Sequence, residues 1–220
     1  EMGQYDFDTV IDRSGTDALK WDNRAANGMG DDVLPMWVAD MDFHTLPEVI
    51  DAVVQRAQTG VYGYCNPALG YDEAVADWME SRHGWKIEKD WIVPVPGVVF
   101  AFSTALRAMT EPGDAVMLQS PTYGPFFSAI RENGRVLVDN RLQLENGRYT
   151  MDFEDFEKKV VEKEVKLLML CSPHNPTGRV WTEEELNRLA ALCAKHGVKV
   201  IADEIHHDLV FAPHTHTPFA

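Results

Sequence analysis

The sequence lacks a cysteine framework. Its three cysteines, Cys65, Cys171 and Cys193, are odd in number and include no Cys-x-x-Cys pair. A disulfide-stapled secreted domain is therefore excluded, and a reducing, cytoplasmic compartment is expected. Basic residues are also scarce: 20 Lys plus Arg stand against 35 Asp plus Glu, a formal net charge of −15. Nucleic acid and anionic membrane surfaces are not expected as partners, because both need a basic footprint. No apolar run approaches the ~18 residues that would suggest a membrane span. The first residues, Glu1 to Asp8, have neither a basic nor an apolar region, so no signal peptide is expected there. Internal repeats and low-complexity linkers are missing too. What remains is a hydrophobic content of 45% over 220 residues, enough for one large domain or a domain with an appendage.

Residues 1–35 are polar and irregular and read as an arm. Pro47 to Gln58 and Tyr71 to His83 have the apolar spacing of amphipathic helices, the first opened by Pro47 and the second closed by Gly84. Trp91-Ile92-Val93 reads as a short strand. Val98 to about Thr110 is apolar nearly all round, which predicts a deeply buried helix. Strands and helices then alternate. Ala115–Leu118 and Arg135–Val138 read as strands with a helix through Arg131 between them. Residues 139–150 form a connection turning at Glu145-Asn146-Gly147, and Asp152–Val161 is an acidic amphipathic helix.

The stretch 165–208 is the most sharply patterned. Lys166–Leu170 is a short apolar run that suits a strand buried on both faces. Thr182 caps a helix with Glu183, Glu184 and Glu185 in its first turn, and Gly197 ends it. Val198–Ala202 is a second buried strand. The alternation predicts an α/β fold, a three-layer α/β/α arrangement on a mostly parallel sheet. It is expected to be incomplete, because the chain stops just after a strand with no closing helix.

Four loops at the strand ends carry unusual residues. Gly97 before Val98 and Val99 lets backbone N–H groups approach an anion, although a Gly there is ordinarily only a cap. Tyr123 can stack on a flat ring, or be a rim aromatic. Asn175, in Asn175-Pro176-Thr177-Gly178, suits turn chemistry as well as hydrogen bonding. Asp203, in Asp203-Glu204-Ile205-His206, is either a helix cap or a buried carboxylate that needs a cationic partner. Singly, each has a plain structural explanation. Together, at the edge where open α/β sheets bind ligands, they make a phosphate cup, an aromatic plate, a neutral hydrogen-bond donor and a carboxylate. Those parts suit pyridoxal phosphate, whose ring nitrogen takes an acidic partner.

Ser172-Pro-His-Asn-Pro-Thr-Gly and Ala202-Asp-Glu-Ile-His resemble the class I/II aminotransferase superfamily, the fold-type I pyridoxal-phosphate enzymes. Trp21-Asp22, Val38-Ala-Asp-Met-Asp-Phe43, Val61-Tyr-Gly-Tyr64 and Val180-Trp-Thr182 bring the resemblance closest to cystathionine β-lyase-like C–S lyases. The resemblance implies that Asp203 pairs with the pyridinium nitrogen and that Asn175 bonds the ring's phenolate oxygen, with His206 nearby. It implies that Tyr123 stacks on the ring and that Val98 and Val99 offer N–H groups to the phosphate. The family often has Ser where this chain has Gly97. Tyr64 would reach the phosphate of a neighbouring subunit in a homodimer, and the Ala39-Asp40 backbone would lie near the carboxylate of a small amino-acid substrate. Residues 1–45 become an arm and the start of a small domain, and 46–220 the large cofactor-binding domain.

The implied reaction is α,β-elimination of cystathionine or related cysteine S-conjugates to thiol, pyruvate and ammonia. In the family a Schiff-base lysine follows the Asp-Glu-Ile-His motif by a few dozen residues. The nine lysines here include none that follows a strand at the cofactor edge. The resemblance thus implies no catalytic lysine in this chain, a truncated large domain, and an inactive 220-residue piece of an active enzyme. An aminotransferase is the sister reading. From another class come a non-catalytic interaction module and a metal-binding module. His206, His207, His214 and His216 lie within eleven residues, but their spacing matches no closed zinc site, and no metal ligand is assigned.

Overall fold

The computed structural model describes residues 5–30, 32–66 and 69–220. The chain divides into two compact units, Glu1–Asn66 and Pro67–Ala220.

In the first unit, side chains hold polar chain in place of regular structure. Helix α1 (Leu19–Asp22) is a single turn, followed by a 3-10 turn at Ala25–Asn27. The Asp42 carboxylate gathers Lys20 Nζ at 2.7 Å, Arg13 Nη1 at 2.7 Å and Trp21 Nε1 at 2.9 Å. Lys20 foremost, then Trp21 and Arg13, hold that carboxyl well below its ordinary range. Helix α2 (Pro47–Gln58) forms where its apolar spacing predicts, with Pro47 in its first turn, yet none of its residues is buried.

The second unit is built on a four-stranded parallel sheet. Helix α3 (Tyr71–His83) closes on Gly84, whose φ of 65° lets its N–H reach the Glu80 carbonyl. Trp91–Val93 is not a strand: Lys89–Trp91 is a 3-10 turn, and Pro94 and Pro96 remove two of the donors that a ladder would need. Helix α4 (Val98–Met109) and strand β1 (Ala115–Leu118) follow, then helix α5 (Gly124–Glu132) and strand β2 (Val136–Asp139). A hairpin, β3 (Gln143–Glu145) and β4 (Arg148–Thr150), turns at Asn146 and Gly147. Both have positive φ, 51° and 77°, as a two-residue type I′ turn requires. Helix α6 (Phe153–Glu162), strand β5 (Leu167–Cys171), helix α7 (Glu183–His196) and strand β6 (Lys199–Asp203) complete the unit. The strand order is β2-β1-β5-β6.

The two-residue period of β5 makes the three layers. Leu167, Met169 and Cys171 face α4 and α5 with Phe102, Leu106, Phe126 and Ile130. Leu168 and Leu170 face α6 and α7 with Phe156, Val160, Leu186 and Leu189. All five β5 residues are buried, so the strand reads as a continuous apolar run, as a central parallel strand does. Helix α4 departs from the expected deep burial. Only Phe102 and Leu106 are buried, while Val99 and Phe100 are about half exposed, because within this unit the helix packs one side against the sheet and α5.

Candidate functional site

Parallel register brings the ends of all four strands to one edge. Leu118 pairs with Asp139 and Cys171 with Asp203. The pairing continues one residue further, where Ser172 N–H donates to the Asp203 carbonyl at 3.0 Å. At the other edge, Lys199 Nζ at the start of β6 donates to the Met109 carbonyl at the end of α4, 3.3 Å, so the N-terminus of α4 lies toward the edge where the strands end. Asp203, Asn175, Tyr123, Val98, Val99 and His206 therefore share one edge of the second unit, although 98 and 206 are far apart in sequence.

Asp203 is the last residue of β6 and 6% exposed. One oxygen accepts the Ile205 N–H at 3.2 Å. Among the described residues no cation lies within ion-pair distance of it. Burial pushes its carboxyl above the ordinary value; the Ile205 N–H and a nearby His206 pull the other way without offsetting it. Asp203 is thus a buried carboxylate short of a positive partner, and a protonated ring nitrogen is such a partner. The donor set fits the cofactor its motifs imply.

The phosphate cup is backbone. Gly97 has φ 105°, and no side chain caps α4. The first helical bond is Ala101 N–H to the Gly97 carbonyl, 3.1 Å, so the N–H groups of Val98, Val99 and Phe100 have no intrahelical acceptor. A Cβ at Gly97 would meet nothing within 4 Å, but an L side chain at that φ is strained. Gly97→Ala is expected to cost about 1–3 kcal/mol, seen as a lower urea midpoint with an unchanged denaturant slope.

Tyr123 is the N-cap of α5, half-buried, its ring edge-on to Phe126 at 6.1 Å. Hydrogen bonds from Ser120 N–H and Oγ to the Asp139 carboxylate, 3.0 and 2.6 Å, hold the loop before it. Asn175 N–H donates to Cys171 Sγ at 3.2 Å, leaving the side-chain amide without a partner among the described residues. Burial pushes the Cys171 thiol up to about 11 and the Cys193 thiol up to about 12. Both stay protonated and serve the core, not the chemistry.

Asn175 is held by a network that motif reading did not single out. His174 N–H donates to the Arg179 carbonyl at 2.8 Å. Arg179 Nη2 lies 2.5 Å from both Glu185 oxygens, and its guanidinium covers Trp181 at 4.6 Å. Trp181 Nε1 donates to the Cys171 carbonyl at 2.9 Å. Burial takes the His174 imidazole down to about 4, so it is neutral at pH 7. The legible signal was the capping box: Thr182 accepts from Glu185 N–H while Glu185 accepts from Thr182 N–H. That Glu185 also binds Arg179 is decided by folding.

Tyr64, Ala39 and Asp40 belong to the first unit. Tyr64 is fully exposed. The Asp40 carbonyl accepts from Lys20 Nζ at 2.7 Å, and its carboxylate pairs with Arg13 at 2.5 Å.

Comparison with known proteins bears on the family and the fold. Residues 31–219 match the family described as Aminotransferase class I and II. Cystathionine beta-lyase PatB of Bacillus subtilis is 46% identical over 97% of this chain and 55% of its own length. Protein MalY of Escherichia coli is 38% identical over 98% and 56%. The crystal structure of cystalysin from Treponema denticola, which contains a pyridoxal 5'-phosphate cofactor, superposes with a TM-score of 0.92 at 41% identity, over 98% of this chain and 55% of that one. The chain spans about half the length of the curated relatives it matches. With its parallel sheet, its strand-end loops and a family match over most of its length, this chain belongs to the class I and II aminotransferase family.

Proposed function

We propose that the chain is the cofactor-holding part of a pyridoxal-phosphate-dependent C–S β-lyase that converts cystathionine or related cysteine S-conjugates to thiol, pyruvate and ammonia. The observation that carries it is the buried Asp203 at the sheet edge, with no cation within ion-pair distance among the described residues. Its carboxylate holds the proton on the ring nitrogen. The Asn175 amide donates to the ring oxygen, with His206 beside it, and Tyr123 lies on the ring face. Val98 and Val99 donate N–H groups to the phosphate at the positive end of α4. When bound, the cofactor supplies the electron sink that lets a Cα proton leave. Residues 1–45 serve as the arm and the start of a small domain, and 46–220 as the cofactor domain. In a cytoplasmic homodimer the exposed Tyr64 reaches the neighbouring subunit's phosphate, and the Ala39-Asp40 backbone lies beside the substrate carboxylate.

The proton-moving lysine is assigned to sequence outside these 220 residues. Lys89, Lys159 and Lys195 are engaged by Glu73, Asp155 and Glu157, and Lys199 starts β6 at the end away from Asp203. Lyase is favoured over aminotransferase because PatB, 46% identical, is named a cystathionine beta-lyase and a Staphylococcus hominis structure, 35% identical, a C–S lyase, whereas one structure at 44% is titled a putative aminotransferase. The test is full-length protein with pyridoxal phosphate and cystathionine. Pyruvate released without an added keto acid is expected. Turnover only with a keto acid marks an aminotransferase and overturns the lyase reading, as does the absence of pyruvate.

A further inference from the structure

The end of α3 and the loop after β6 bring together three side chains that the cofactor contacts do not use. His83 Nε2 lies 2.9 Å from Asp208 Oδ1. His207 Nε2 lies 3.3 Å from Asp208 Oδ2. The donor atoms of the three residues all fall within 4.8 Å of one another. The His83 side chain is 6% exposed. Beside them, the His216 ring sits 5.7 Å from His83 and 5.8 Å from His207. Its Nε2 is buried without a hydrogen-bond partner, 3.4 Å from Glu204 Oε2.

The placement of hydrogens makes this cluster unusual. His207 Nδ1 is 2.6 Å from the Glu204 carbonyl oxygen. A carbonyl only accepts, so Nδ1 carries the hydrogen. In a neutral imidazole that leaves a lone pair on Nε2, and it faces a carboxylate oxygen, which also only accepts. Asp208 already takes the Trp78 Nε1–H, 3.1 Å from each oxygen. Two facing acceptors repel unless a positive charge joins them, either a second proton on His207 or a metal ion.

The geometry favours the metal. Three donor atoms from two separate segments converge. His207 gives its other ring N–H to a backbone carbonyl, and the Asp208 carboxylate is fixed by an indole N–H. Such outer contacts orient metal ligands. Bonds of about 2.0–2.2 Å in a tetrahedral site imply ligand–ligand edges of about 3.3–3.6 Å. The three donor atoms lie within 4.8 Å of one another; His83 and His207 approach different Asp208 oxygens, at 2.9 and 3.3 Å, so a small turn of the carboxylate brings one oxygen to both imidazoles. We propose that His83, His207 and Asp208 bind one divalent transition-metal cation of the zinc class, with a fourth position open to water, and that the ion ties α3 to the loop after β6. Imidazole with one carboxylate suits zinc better than magnesium or calcium. His206 and His214, neighbours in sequence, are not in the set.

The experiment uses chelator-stripped protein titrated calorimetrically with Zn²⁺, and separately with Co²⁺ while visible absorption is recorded. One ion per chain, with cobalt bands of tetrahedral intensity, is the expected result. His207→Gln, a change in an irregular loop, should weaken binding by at least about 10- to 100-fold, while His214→Gln leaves it unchanged. If His83→Ala fails to fold, the His207→Gln comparison and the cobalt spectrum still decide. Absence of saturable binding overturns the proposal. So does unchanged Zn²⁺ affinity in His207→Gln, or nitrogen NMR showing both His207 ring nitrogens protonated whether or not Zn²⁺ is present.

Discussion

Asp203→Asn in the full-length protein is expected to weaken pyridoxal phosphate binding and to stabilise the cofactor-free form. The loss comes from exchanging a charged acceptor for a neutral one, roughly 1.5–3 kcal/mol or about 10- to 150-fold in affinity. The gain comes from burial. The folded carboxyl has its pKa raised above the ordinary 3.8, so the folded state binds its proton more tightly than the unfolded state. For such a group the stabilising contribution is full below the ordinary pKa and is lost as pH rises through the folded value. An amide has no proton to lose. The variant should therefore unfold at higher urea than the parent at pH 7, and the gap should close below the ordinary carboxylate pKa. Absorbance titration with the cofactor and urea melts at the two pH values check both halves. If apo-stability falls at pH 7 while affinity is unchanged, Asp203 is a structural cap and not a ring partner.

Glu185→Ala is expected to destabilise the protein by about 3 kcal/mol, because it leaves the Arg179 guanidinium buried and unpaired and removes half of the α7 capping box. Burial alone would raise the Glu185 carboxyl. Arg179 and the Thr182 N–H outweigh it and hold the group below its ordinary 4.5. A depressed pKa gives stability that is present above the unfolded value and lost as pH falls through the folded one. The difference between parent and variant should therefore shrink on acidification. Arg179→Met with Glu185→Leu should recover most of the loss, since apolar replacement of a whole buried pair is often neutral. The loop carrying Asn175 would then lose its anchor, so the double variant should fold yet bind cofactor more weakly. Urea melts and cofactor titration of the three proteins measure both effects.

Much of the second unit was legible because its signals are local. The apolar run of β5, the caps Thr182 and Gly197, and the Asn146-Gly147 turn each depend on a few adjacent residues, and each formed where it was read. Trp91–Val93 misled because an apolar triplet is a strand only if another strand pairs with it, and pairing is not a local property. Helix α4 misled for a related reason. Its sequence is apolar all round, but burial depends on what lies on each side, and within this unit only the sheet side is filled. Lys20 carried no signal of being 4% exposed. It is buried because Asp42, twenty-two residues on, folds back to meet it.

The sequence by itself determined the order of strands and helices from Val98 onward, the parallel pairing of the main sheet and the identity of the strand-end residues, since periodicity, capping and βαβ handedness act over short stretches. Only the tertiary structure decided that Asp203 is buried with no cation beside it among the described residues, that Arg179 and Glu185 brace the Asn175 loop, and that His83 meets His207 and Asp208. Desolvation and charge pairing depend on which distant groups arrive at the same place, and that is settled when the helices pack on the sheet.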